Sequence, residues 1–423
     1  MKQKHHRMLC AFCALVILVS TVFPTAAFAE QPVDAAAAEQ TLTRADAAEM
    51  QQADAAVTVL TESEQYQEMD TEARKDAALA QLDTLAAKGL VEKDSIYTDE
   101  ENGMVSFRYP CGVLGGILLT EPEDETLDEE NAETETTSNA LPLRLPPDLG
   151  AEMQKSRAAL LRRTENQAVE KFGTAVIYYA FDNTINSSRF PYYSYMQGFW
   201  SALGLETKIN IHVTVADLKK MGNYNVSVLS AHGSYYTYSY GKFLKRTRTE
   251  PIMLLTEEST FGKDLRYGFD LLAHRVIKVN GMYCVTSDFF RNAYKGGKLS
   301  NTIVYSETCE FLGVDGSEDN AMADALLSGG AQAVIGYVNN VYTVYSRSML
   351  WDTINHLIMG QNVGQALEHA KATYGEDDLI WYHAQGGRRP HAAASYAVLY
   401  GNSQAALHVP ESNRSMFSAD LAA

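Results

Sequence analysis

The segment Asn301-Thr-Ile-Val-Tyr-Ser-Glu-Thr-Cys309 decides the fold, because its β-branched, apolar run ends abruptly in polar residues. A second run, Asn225-Val-Ser-Val-Leu-Ser-Ala-His-Gly233, ends in the same way. Near-continuous apolar runs of this kind are typical of buried parallel strands. If the two runs are neighbours in one sheet, their carboxyl ends lie at the edge where open α/β sheets place functional groups. We therefore expect Cys309 and His232 to face one another across a cleft.

Strand-like and helix-like segments alternate from residue 174 onward. The strands are expected at 174–180, 209–215, 226–229, 302–305, 333–337 and 395–400, and the helices at 193–203, 216–221, 320–327, 346–359 and 362–374. Residues 234–300 form a tyrosine-rich insertion that we interpret as irregular, with some strand and helix. Alternation of this kind predicts an α/β fold whose mostly parallel sheet is covered on both faces, a three-layer α/β/α sandwich.

Residues 30–120 have a different pattern, which predicts a separate α+β unit. Helices are expected at 41–60 and 71–88, with Asp70 as an N-cap and Gly89 as a C-terminal stop. Short strands are expected at 94–97 and 104–109. An acidic and then proline-rich stretch over 121–148 is typical of a solvated linker. The main domain would then span 149–410, followed by a tail over 411–423.

The first 29 residues have the three parts of a secretory signal peptide. Lys2, Lys4 and Arg7 are basic, residues 8–23 are apolar, and Ala27-Phe-Ala29 has the small-residue pattern of a cleavage site. We expect a secreted or cell-envelope protein with no membrane attachment after cleavage. An uncleaved anchor is the alternative, although the apolar stretch is short for a membrane span.

Charge and cysteine content narrow the classes of partner. The net charge of −18 argues against nucleic acid, which requires a basic footprint. Cys111, Cys284 and Cys309 remain after signal cleavage, and an odd number leaves at least one free thiol. Cys111 and Cys284 could pair, but Cys284 has the context of a buried strand cysteine.

The two strand ends are spelled Ser230-Ala-His-Gly233 and Glu307-Thr-Cys309. In this order and context they resemble the caspase-like cysteine peptidases, the group that includes caspases, legumain, clostripain and the gingipains. The segments 323–337 and 396–402 resemble the helix–glycine–strand unit and the closing strand of gingipain-like members. Those proteins more often continue Gly-Asp-Pro where this chain has Gly401-Asn402. The resemblance covers about residues 174–407.

This resemblance implies a cysteine endopeptidase with a caspase-like sheet and a Cys-His dyad. Cys309 would attack the peptide carbonyl as a thiolate, and His232 would protonate the leaving amine. The backbone N–H groups of Gly233 and Cys309 would stabilise the oxyanion. The substrate would be a protein or peptide. A catalytically silent caspase-like module that binds a protein partner is the alternative.

The resemblance also implies that Glu307, two residues before the cysteine, lines the pocket for the substrate residue P1. A carboxylate there would select Arg or Lys, although legumain has Glu at this position and accepts Asn. Asp315 could add charge to the same pocket. Asp315, Glu318 and Asp319 could instead bind calcium, but their spacing does not match an EF-hand loop. Asp319 or Ser317 is more typical of a cap on the following helix.

An exported peptidase has to remain inactive inside its own cell. We interpret residues 30–120 as its pro-region or as a regulatory domain, which would make this region a partner of the peptidase domain. If P1 is basic, Arg162-Arg163 is the expected site of self-processing.

Other chemistries find little support. A papain-like enzyme has its cysteine before its histidine, and a glutamine amidotransferase needs glycines flanking the cysteine. His356, His369 and His383 do follow Cys309, so that second route stays open; we expect packing or surface roles for His356 and His369. The chain has no P-loop, no His-Glu-x-x-His and, once the signal peptide is removed, no Cys-x-x-Cys. We therefore predict no required cofactor and no metal site.

Overall fold

The computed structural model describes residues 41–119, 153, 155, 169–181, 191–241, 245–379 and 394–417. The predicted signal peptide, the linker over 121–148, Arg162, Arg163 and His383 lie outside these residues. The described helices are α1 (Arg44–Thr61), α2 (Glu64–Gln67), α3 (Thr71–Ala87), α4 (Pro191–Ala202), α5 (Val215–Leu218), α6 (Phe261–Leu272), α7 (Ser287–Ala293), α8 (Ala321–Ser328), α9 (Thr343–Ile358), α10 (Val363–Tyr374) and α11 (Glu411–Phe417).

The described strands form two large sheets and one small hairpin. They are β1 (Tyr97–Asp99), β2 (Met104–Arg108), β3 (Leu114–Leu118), β4 (Gly173–Ala180), β5 (Leu205–Asn210), β6 (Val226–Ala231), β7 (Gly233–Tyr240), β8 (Arg246–Glu258), β9 (Val276–Val279), β10 (Met282–Thr286), β11 (Ile303–Ser306), β12 (Gly313–Val314), β13 (Ser317–Glu318), β14 (Ala333–Val338) and β15 (Tyr396–Gly401).

The first large sheet has six strands in the order β15-β14-β11-β6-β4-β5. All of its pairs are parallel except the antiparallel edge pair of β14 with β15. Every residue of β6 and β11 is buried, because alternate side chains enter apolar cores on opposite faces of the sheet. Helices α4, α9 and α10 contribute to the core on one face, and α5, α7 and α8 to the core on the other. The prediction of an α/β fold with a mostly parallel sheet is confirmed.

The second large sheet has seven strands in the order β1-β2-β3-β9-β10-β8-β7. The expectation of an irregular insertion at 234–300 was wrong, because these residues supply four of the strands and two helices. Strand β3 pairs in parallel with β9, with Gly115 opposite Lys278 and Gly116 opposite Val279. Strands β1–β3 from the segment before the linker and strands β7–β10 from the insertion therefore form one sheet.

The described residues, which begin at Thr41, group into one compact unit. The N-terminal segment that the sequence sets apart is thus packed into the same body as the residues after the linker, and its role as a pro-region stays a prediction. The predicted tail begins with helix α11, whose buried Asn413 bonds both the backbone N–H and the carbonyl of Glu170. None of the described helices is both long and apolar enough to cross a membrane.

Two local predictions were wrong for reasons visible in the chain. The strand predicted at 94–97 starts only at Tyr97, because Lys93–Ser95 form a 3-10 turn. The strand predicted at 209–215 is Leu205–Asn210, because Thr214 starts helix α5 with a capping box. The Asp70 cap is confirmed by its bond from the Ala73 backbone N–H at 2.8 Å. Gly89 follows the same helix at a φ of +74°, as a helix-ending glycine should.

Candidate active site

The polar ends of β6 and β11 lie at the same edge of the six-stranded sheet. The two strands are parallel neighbours, with Tyr305 opposite Val228 and Ser306 opposite Leu229. The pairing continues past the strand end, since the backbone N–H of Glu307 donates to the carbonyl of Leu229 at 2.7 Å. The predicted adjacency of these two strands is therefore confirmed. It brings the loops that contain His232 and Cys309 to one edge.

Gly233 lies directly against the backbone of Cys309. A Cβ added to Gly233 would be 2.1 Å from the carbonyl oxygen of Cys309 and 2.5 Å from Cγ2 of Thr308. No side chain fits at that distance, so glycine is required by contact between the two loops. The role of the Gly233 backbone N–H as a donor to the oxyanion stays a prediction.

Cys309 presents a half-buried thiol to a backbone donor. The backbone N–H of Val341 points at Sγ of Cys309 at 3.4 Å, and the carbonyl oxygen of Val341 is 3.9 Å from the same sulfur. An ionised thiolate accepts a hydrogen bond from a backbone N–H that points at its sulfur. Val341 follows β14, so the neighbouring strand on the other side of β11 supplies this contact.

His232 is half-buried and its ring is held by an aromatic neighbour. The ring of Phe181 packs edge-on against it, with ring centroids 4.5 Å apart and an interplanar angle of 83°. Phe181 directly follows β4, the strand next to β6. Three successive strand ends, those of β4, β6 and β11, thus provide Phe181, His232 and Cys309.

Glu307 lies beneath this edge with only 5% of its surface exposed. Its Oε2 accepts a hydrogen bond from the Tyr193 hydroxyl at 2.9 Å, and its Oε1 accepts one from Ser346 at 3.4 Å. Burial raises the pKa of Glu307, whereas the charge of the nearby Arg347 acts to lower it. Glu307, the carboxylate predicted to bind a substrate cation, therefore already has hydrogen-bond donors and a nearby positive charge within the protein.

Arg347 is the residue of this cluster that sequence analysis missed. Its side chain is buried, lies 5.5 Å and 5.4 Å from the ring centroids of Tyr192 and Tyr193, and its Nε donates to the Tyr193 hydroxyl at 3.4 Å. Ser230 also bonds the Tyr193 hydroxyl, at 3.0 Å. The available signal was an arginine in the first half of helix α9, whose neighbours there are apolar or carry hydroxyl groups.

Asp315 has a different environment from Glu307. It is exposed, at a φ of +53°, in the turn between β12 and β13. Its charge bears on Glu310, the residue after the cysteine: burial raises the pKa of Glu310 to about 7, and Asp315 contributes to that rise. A substrate-binding role for Asp315 stays a prediction.

The other two acidic residues of this loop already have protein donors. Oδ2 of Asp319 accepts from the Tyr235 hydroxyl at 3.1 Å, and Oδ1 accepts from the Ala321 backbone N–H at 2.9 Å. Glu318 accepts from the Tyr400 hydroxyl at 2.6 Å. The N-cap of helix α8 is Asn320, which makes no side-chain cap bond, so the predicted cap by Asp319 or Ser317 was wrong. Calcium binding stays a prediction.

Cys111, Cys284 and Cys309, the cysteines among the described residues, have separate environments and none of the three forms a disulfide. Cys284 is fully buried on β10, as predicted, and burial raises the pKa of its thiol. Cys111 is half-buried, and burial raises the pKa of its thiol as well. Cys309 is the thiol at the polar sheet edge.

A comparison with protein-family models finds no match for the chain, and a comparison with curated proteins finds none either.

Proposed function

We propose that this protein is a caspase-like cysteine endopeptidase in which Cys309 is the nucleophile and His232 the general acid and base. The observation that supports this most is the contact of Gly233 with the Cys309 backbone, at a distance only glycine allows. It joins the histidine loop to the cysteine loop at the carboxyl edge of a parallel sheet, where α/β proteins place their chemistry.

The reaction requires one covalent intermediate. Sγ of Cys309 bonds to the scissile carbonyl carbon, the carbon–nitrogen bond breaks, and His232 gives a proton to the departing amine. Water then attacks the thioester, with His232 as base, and restores the thiol. The N–H of Val341 stabilises the sulfur while it is ionised. The backbone N–H groups of Gly233 and Cys309 are the proposed donors to the oxyanion.

The contacts of Glu307 bear on the choice of the P1 side chain. A free buried carboxylate would favour Arg or Lys strongly, but this carboxylate is faced by Arg347 and two hydroxyl donors. Because Arg347 already offsets the charge of Glu307, a substrate cation gains less free energy from binding there. A neutral P1 carboxamide, as in Asn, meets both a donor and an acceptor in such a pocket. We therefore propose Arg, Lys and Asn as the P1 residues, with a reduced preference for the cations.

Self-processing at Arg162-Arg163 remains part of the proposal, together with export through the signal segment. Mass spectrometry that finds only the full-length species after incubation of active enzyme would count against this step. Strand β3 pairs with β9, and Asp54 of α1 lies 2.5 Å from Lys278 of β9. We therefore expect the N-terminal segment to stay bound after cleavage and to co-elute with the rest of the protein in gel filtration.

The test is cleavage of fluorogenic peptides with Arg, Lys or Asn at P1. We expect hydrolysis of at least one series by the wild type, and loss of it in Cys309→Ala. Cys111→Ala, which changes another half-buried thiol, is the matched control and should retain activity. Undiminished cleavage by Cys309→Ala would overturn the mechanism. No cleavage by the wild type, and no labelling of Cys309, would support the silent partner-binding module instead.

A further inference from the structure

Helices α9 and α10 bring three metal-ligating side chains together, away from the Cys309 loop. Asp352 and His356 are four residues apart on α9 and so share one face of that helix, and His369 comes from α10. One ligand atom from each residue lies within 4.8 Å of the others. Nδ1 of His369 is 2.7 Å from Oδ2 of Asp352, and the two imidazole rings stack with centroids 3.7 Å apart.

His356 leaves one ring nitrogen without a partner. Its Nδ1 lies 2.9 Å from the backbone carbonyl of Asp352, so this nitrogen donates and Nε2 has the lone pair. Among the described residues nothing bonds Nε2, although the side chain is only 4% exposed. Buried polar atoms almost always have a partner, so Nε2 of His356 needs one that the described residues do not supply.

We propose that Asp352, His356 and His369 form a binding site for a divalent transition metal ion such as Zn²⁺. Two imidazoles and one carboxylate suit such ions, whereas calcium takes oxygen ligands. A backbone carbonyl that fixes the other ring nitrogen, as Asp352 does for His356, is the usual arrangement of a metal-binding histidine. Bonds of about 2.0–2.2 Å bring tetrahedral donor atoms to roughly 3.4 Å apart. The 2.7 Å pair of Asp352 and His369 would therefore open, and separations of up to 4.8 Å would close.

The exposure of the three residues gives the ion a route of entry. The side chain of His369 is 46% exposed, whereas those of Asp352 and His356 are 9% and 4% exposed. The ion would enter from the His369 side, replace the hydrogen bond between His369 and Asp352, and keep water at its open position. Because the ligands come from both helices, the bound ion ties α10 to α9, the helix that also supplies Ser346 and Arg347 to the Glu307 cluster.

The experiment is a titration of untagged, metal-free Cys309→Ala protein with Co²⁺, followed by displacement with Zn²⁺. The Cys309→Ala background removes the thiol that would otherwise bind these ions, and it makes the readout independent of peptidase activity. We expect one equivalent of Co²⁺ to give the visible absorption of a low-coordinate site, and Zn²⁺ to abolish it and raise the thermal midpoint. Failure of the proposed peptidase reaction would leave this result unchanged.

His369→Gln is the decisive second variant, because its half-exposed position allows folding without the imidazole. We expect it to weaken Co²⁺ binding by about 100-fold or more, since even outer-shell partners are worth ten- to hundredfold. His408→Gln, an exposed histidine elsewhere, is the matched control and should bind Co²⁺ as the parent does. Absence of the absorption band in the parent, or the same affinity in His369→Gln, would overturn the site.

Discussion

The two sheets of this protein both bury charges, but they surround them differently. In the seven-stranded sheet, Lys278 is fully buried between Asp54 at 2.5 Å and Asp264 at 2.9 Å, and Tyr109 and Tyr283 donate to those carboxylates. Near the edge of the six-stranded sheet, Glu307 and Arg347 are buried, whereas His232 and Cys309 are half-buried.

The comparison separates a charge cluster that joins distant parts of the fold from one that lies at the proposed site. The Lys278 cluster joins α1 to α6 and β9, which lie far from α1 in the chain, and every strong acceptor in it is occupied. The Glu307 cluster connects to strand ends where a thiol and an imidazole reach the solvent. Changes in the first should therefore alter stability, and changes in the second should alter activity or selectivity.

Lys278→Met should have the largest effect, and it should be on stability. Removing the ammonium leaves two buried carboxylates without a cation, and breaking a buried pair in this way costs about 3–5 kcal/mol. Urea unfolding of the variant measures the loss. Lys295→Met, an exposed lysine, is the control and should change the free energy of unfolding by less than about 0.5 kcal/mol. A loss below about 1 kcal/mol for Lys278→Met would remove the distinction between the sheets.

Gly233→Ala should have the next largest effect, and it should be on activity. The new Cβ would sit 2.1 Å from the Cys309 carbonyl oxygen, so the two loops must separate. We expect kcat/KM to fall by about 10²–10³-fold, the size of effect seen when one oxyanion donor is lost. Gly198→Ala is the control, because Gly198 lies in α4 with nothing within 4 Å of the added Cβ. Wild-type activity in Gly233→Ala would contradict the proposed contact.

The balance between the charges of Glu307 and Arg347 should set the selectivity for the P1 side chain of the substrate. Arg347→Met frees the carboxylate for a substrate cation, so the ratio of kcat/KM for Arg over Asn substrates should rise about tenfold, equivalent to ~1.4 kcal/mol. Glu307→Gln, which keeps the shape, should lower the same ratio. Competition assays with paired fluorogenic peptides measure both. An unchanged ratio in both variants would mean that Glu307 does not contribute to the P1 pocket.

Glu310 should give the smallest effect, a pH dependence of stability. Burial raises its pKa from 4.5 to about 7 in the folded protein. The folded state thus binds this proton more tightly, so its stabilising contribution is complete below pH 4.5 and is lost as the pH rises through 7. Glu310→Gln should flatten the unfolding free energy across this window, by on the order of 1 kcal/mol after solvent screening. The exposed Glu411→Gln should leave the slope unchanged; a slope unaltered by Glu310→Gln would contradict the assignment.

The sequence predicted the six-stranded sheet because β6 and β11 are buried on both faces, which produces an unmistakable apolar run. It did not predict the seven-stranded sheet. Strands β7 and β8 are rich in tyrosine and basic residues, and β9 pairs with β3 across more than 150 residues of chain. Pairing over that separation is set by tertiary packing, which local patterns do not encode.

The candidate site likewise has a part that the sequence predicted and a part that it did not. His232, Gly233 and Cys309 stand at strand ends, so their neighbourhood follows from strand order. Arg347 reaches Tyr193 from the interior of a helix, and helical periodicity does not show which long side chain bends towards a buried carboxylate. The pairing of Asp352 with His369 depends on how α9 packs on α10 and was likewise not predictable.

The most direct test of the central claim is to find which thiol reacts with a peptidyl acyloxymethyl ketone. The protein contains its own controls, since Cys111 and Cys284 are free thiols outside the proposed dyad. We predict that probes with Arg, Lys or Asn at P1 modify Cys309, as located by peptide mass spectrometry, and that His232→Ala abolishes the modification. Labelling of Cys111 in preference to Cys309, or equal labelling in His232→Ala, would contradict the account.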